Sequence, residues 1–130
     1  MSAPLARPWI AGRDDTTDLE TVPVVSPVHG ETIAQLALAD AAGLDRAVQA
    51  AHAAFDDYRH WSTYERAELC HRVARLIEEH EHELARLTTL EQGKPFHAEA
   101  LGDVRDSAEL FAVAAEDAKR LYGATIPSVE

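Results

Sequence analysis

The hydrophobic period of this chain changes once, near Asp40, and that change limits the fold more than any other feature. Upstream lie β-leaning stretches bounded by proline and glycine. "TVPVVSP" (21–27) is β-branched, and "ETIAQLALA" (31–39) alternates, with Ile33, Gln35 and Ala37 on one face and Ala34, Leu36 and Leu38 on the other. "VHGE" between them supplies a turn glycine, so the spacing predicts an antiparallel hairpin. Pro23 cannot donate to a ladder and confines its strand to an edge. "PWIAG" (8–12) is a candidate for a short third strand, so the strands are expected between about residues 8 and 39.

Downstream of Asp40 the period is helical. Leu44, Val48, Ala51 and Phe55 form one apolar stripe and predict a helix over 41–58. "STYE" (62–65) reads as a capping box, in which Ser62 accepts from a first-turn amide and Glu65 reaches back. Leu69, Val73, Leu76, Ile77, Leu84 and Leu87 then predict a second helix over 62–91. A third is expected over 95–121, with Phe96, Ala100, Val104, Phe111, Ala115 and Ala118 on its stripe. Gly123 ends it, and "IPS" (126–128) reads as extended. Only 6% of the residues are aromatic and alanine is abundant, which suits closely packed helices.

"LTTLEQGKPFHAEA" (87–100) joins the second and third helices and places a lysine after a glycine. A phosphate-binding loop needs several glycines before that lysine, a hydroxyl after it and a strand leading in. Here a helix leads in and Pro95 follows Lys94. The stretch is therefore a corner. Gly93 suits a left-handed C-terminal cap, Pro95 suits the first turn of the next helix, and Lys94 sits at the carbonyl end of a helix dipole.

No active site follows from the residues alone. Cys70 is the single cysteine, lies among apolar neighbours inside the second helix and reads as structural. His80 and His82 in "EEHEHELA" are two apart, not four, and diverge around a helix amid a solvated acidic face. His29, His52, His60 and His97 are scattered, and Asp56, Asp57, Asp103 and Asp106 read as surface. The net charge of −11 opposes non-specific nucleic-acid binding and attraction to anionic membranes. One cysteine allows no intrachain disulfide, and no segment has the length of a signal peptide core or a transmembrane helix. The expectation is a cytoplasmic protein.

Taken in order, "WIAG", "VVSPVHGETIAQLALAD", "LDRAVQAAHAAFDDYRHWS", "ERAELCHRVARLIEEHEHELARLTTLEQGKP" and "AAEDAKRLYGATIPS" resemble the N-terminal region of the aldehyde dehydrogenase superfamily, from about Trp9 to Ser128. "EQGKP" and "AEDAKRLYGATIP" lean towards the semialdehyde branch. The resemblance implies an α+β fragment of an α/β enzyme over residues 1–130. Its N-terminal β-hairpin and three antiparallel-packed helices would correspond to the start of a cofactor-binding domain.

The resemblance also implies an activity that oxidises an aldehyde with NAD or NADP through a cysteine thioester, an oxyanion site and a glutamate-activated water. Those groups belong to family segments outside this sequence. Cys70 does not match the family nucleophile, and no catalytic or cofactor-binding residue carries over. One set does: some members hold a monovalent cation with main-chain oxygens before the "SP" equivalent and an acidic residue before "GK", here Val24, Val25 and Glu91. Against it, Val24 and Val25 can be plain strand residues and Glu91 a plain helix end. The implied partners are the remainder of the dehydrogenase or a homologous subunit, in an oligomer acting on an aldehyde. A free-standing helical interaction or regulatory module without activity is the alternative, and an acidic metal-binding protein a third.

Overall fold

The computed structural model describes residues 3–127, so Ser128, the last residue of "IPS" and of the resemblance, lies outside them. Three strands form one small sheet. Strand β1 (Leu5–Ala6) runs parallel to β5 (Thr32–Ala37), whose other side pairs antiparallel with β4 (Thr21–Val25). This is the expected hairpin. β4 is an edge strand, as Pro23 requires, and its ladder is irregular between Val24 and Val25.

"PWIAG" does not join that sheet. Strand β2 (Trp9–Ile10) folds back on β3 (Arg13–Asp14) as a separate hairpin, and the third strand of the larger sheet comes from further upstream, at Leu5. The cause is local: Ala11 and Gly12 both take positive φ, 51° and 79°, the geometry of a tight two-residue hairpin turn.

Helix α1 (Ala41–Tyr58) has the expected bounds. Asp40 caps it, its Oδ1 accepting from the Gly43 amide at 2.6 Å. The Ser62–Glu65 capping box forms as expected and opens α2 (Thr63–Glu79). Between the two, the Arg66 guanidinium donates to the carbonyls of Tyr58 and Arg59 and lies 4.9 Å from the Tyr58 ring centre. A cation thus answers the exposed carbonyl end of α1.

The second expected helix is two helices. α2 ends at Glu79 and α3 (Glu81–Gln92) begins at Glu81, with His80 between them at φ −107°, ψ 15°. Six consecutive polar residues, Glu78 to Glu83, cover the break. In a straight helix Ile77 and Ala85 would lie about 80° apart around the axis. The break lets both reach one cluster, where Ala85, Ala100, Leu101 and Val104 are buried with Ile77 and Phe96 packed against them.

The third expected helix opens with a π turn (Phe96–Ala100), continues as α4 (Leu101–Ala118), and so stops three residues short of the expected end. Pro95 has ψ 125° and precedes the helix instead of lying in its first turn, while its carbonyl accepts from both Glu99 and Ala100 at 3.0 Å. The wider turn brings Ala100 into the core.

The described residues thus hold four α-helices, not three packed antiparallel. The main helix pair is α2 with α4, while α1 rests chiefly on β2. The buried residues Ala67 and Ala74 on α2, and Ala108 and Ala115 on α4, are spaced by seven on each helix, so methyl groups line the seam. This is the close packing that the alanine content suggested.

Candidate functional site

Val24, Val25 and Glu91 come from segments that the fold brings together. The turn after β4 lies against the corner after α3: a Cβ added at Gly93 would meet Pro27 Cγ and Val28 Cγ2, each at 3.3 Å. Gly93 has φ 78°, the left-handed cap that the sequence called for, and its amide donates to the Thr89 carbonyl at 2.9 Å. Ser26 ties the turn shut, its amide donating to Glu31 O and its carbonyl accepting from the Gly30 amide.

Ser26 is fully buried, and its Oγ has no hydrogen-bond partner among the described residues; the same holds for Thr89 Oγ1. An unanswered buried hydroxyl is costly, so such oxygens call for water or an ion. The polar character of this corner was not legible in the sequence. Ser26 follows a β-branched run as an ordinary strand-end residue would, and only its burial distinguishes it.

Lys94 forms an ion pair with Asp103, which raises its pKa by direct hydrogen bonding and charge attraction. It braces the corner against α4, as a structural residue does. Arg105 grips Glu81 through two hydrogen bonds of 2.9 and 3.2 Å and pulls the Glu81 carboxyl below its ordinary range. Cys70 is half-buried. His71 Nε2 hydrogen-bonds Glu116 at 3.1 Å, and His80 and His82 reach Glu83 and Glu81 on their own helix. Among the described residues no three His, Cys, Asp or Glu side chains are grouped to hold a metal. No described helix is long and apolar enough to cross a membrane.

A polar latch fixes the N-terminal segment to α1. Asp15 accepts from the Thr17 hydroxyl and amide and from Arg46 Nη2 at 2.6 Å, and these bonds lower its carboxyl pKa to about 2, Thr17 being the larger cause. Arg7 adds bonds to the carbonyls of Asp15 and Thr17.

Several apolar side chains of the helical stripes stay on the surface. Leu44, Val48 and Phe55, the stripe that predicts α1, are 62%, 60% and 56% exposed. Leu76, Leu87, Leu110, Phe111 and Val113 are exposed as well. Fully burying a Leu, Val or Phe side chain is worth about 1.5–3 kcal/mol each. The α1 stripe alone therefore leaves roughly 3–5 kcal/mol of burial unrealised. A helix patterned for a core but lying on the surface marks an interface.

Comparison with known proteins gives this observation its context. The aldehyde dehydrogenase family profile matches residues 13–130, and the chain belongs to that family. It is 44% identical over 108 residues to the 3-sulfolactaldehyde dehydrogenase of Pseudomonas putida, matching 83% of this chain but 22% of that protein. With the glutarate-semialdehyde dehydrogenase of Pseudomonas aeruginosa it shares 40% over 113 residues, 87% of this chain and 23% of the other. A crystal structure of an aldehyde dehydrogenase from Physcomitrella patens, in complex with the reaction product succinate, superposes with a TM-score of 0.88 at 28% identity; the match covers 98% of this chain and 26% of that one. The chain spans between a fifth and about a quarter of the length of these relatives.

Proposed function

We propose that residues 1–130 are the N-terminal part of an NAD(P)-dependent aldehyde dehydrogenase, from the start of its cofactor-binding domain, active only with the rest of the polypeptide. The observation that carries this reading is the exposed α1 stripe of Leu44, Val48 and Phe55 on a chain matching its relatives over a quarter of their length or less. The missing length is what covers the stripe. The described residues include no glycine-rich turn from a strand into a helix, so they do not fit a dinucleotide, and the nicotinamide site belongs to the companion segment. The substrate is an anionic semialdehyde, supported by the glutarate-semialdehyde relative.

The test combines the chain with a polypeptide carrying the remaining length of the Pseudomonas putida relative and follows nicotinamide reduction with succinate semialdehyde and with an uncharged aldehyde of equal length. The chain alone is inactive. The mixture forms a stable complex in native mass spectrometry and reduces the nicotinamide, faster with the semialdehyde. A lone chain that stays monomeric, unfolds cooperatively, binds no hydrophobic dye and ignores the companion would overturn the assignment in favour of a self-contained module.

The carbonyls of Val24 and Val25 and the Glu91 carboxylate are hard-oxygen donors, the kind that suits a monovalent cation. The irregular ladder at Val24 and Val25 and the unpartnered Ser26 hydroxyl support that role. Potassium then raises the melting temperature over choline at equal ionic strength, and Glu91→Gln abolishes the difference. An equal response to both salts in the unaltered chain refutes the site.

A further inference from the structure

We draw no further inference here: the strongest candidate, the apolar groove between α3 and α4 lined by Ile77, Leu84, Leu87 and Val104, has as its one charged lining residue the Glu91 already placed at the cation site, and nothing in the structure shows what covers it.

Discussion

Glycine-to-alanine substitution should change sign with position in this chain. Gly93 has φ 78°, and an added Cβ would meet Pro27 Cγ and Val28 Cγ2 at 3.3 Å. The left-handed conformation costs an L-residue about 1–2 kcal/mol, and the lost unfolded-state entropy returns about 0.4–1 kcal/mol. The two close contacts add to the cost, because the turn after β4 must shift to admit the methyl group. Gly93→Ala is therefore expected to destabilise the chain by about 1–2 kcal/mol.

Gly30 has φ 69° with nothing within 4 Å of the added carbon, so Gly30→Ala carries the conformational cost without the contacts and should lose less. Gly102 lies in α4, is exposed, and likewise has nothing within 4 Å. There alanine gains about 0.5–1 kcal/mol of helix propensity. Urea unfolding followed by far-ultraviolet circular dichroism measures all three at a common slope. The expected order of stability is Gly102→Ala above the unaltered chain, then Gly30→Ala, then Gly93→Ala. Equal losses at Gly30 and Gly93 would remove the inferred contact between the turn and the corner, and with it the geometry offered for the cation site.

Ala11 is a non-glycine residue at φ 51°, so Ala11→Gly should stabilise the β2–β3 hairpin by roughly 0.5–1 kcal/mol, seen as a higher urea midpoint. The folded Asp15 carboxyl has its pKa lowered from 3.8 to about 2, so its contribution is complete above about pH 4 and is lost as pH falls towards 2. Asp15→Asn should be less stable than the unaltered chain at neutral pH, and acid titration of both should bring their midpoints together near pH 2; a constant gap would refute the linkage. Phe55→Ser, at a side chain 56% exposed, should change the isolated chain by less than about 0.5 kcal/mol yet weaken its association with the companion polypeptide, measured by calorimetry.

Local patterns were legible wherever one segment decides its own structure. The β4–β5 hairpin, the edge position forced by Pro23, the bounds of α1, the Ser62–Glu65 box and the left-handed Gly93 cap all depend on neighbouring residues. The break at His80 could have been read from the run "EEHEHE", which interrupts the apolar stripe for six residues. The Asp40 cap follows the same local logic, since a short acidic side chain before a helical period reaches the first-turn amides.

The sequence alone determined that a hairpin would precede amphipathic helices, that Lys94 turns a corner, and which family segments are present. Tertiary structure alone decided the rest. It set which stripes are buried: the methyl groups of Ala67, Ala74, Ala108 and Ala115 close the α2–α4 seam, while the equally regular stripe of Leu44, Val48 and Phe55 stays exposed. Periodicity records that a face was selected for burial, but not whether the burying partner lies within the same 130 residues. Burial of Ser26 and the joining of the Val25 turn to the Glu91 corner arise from contacts between distant segments. Such contacts depend on how whole elements pack, which no local window of sequence contains.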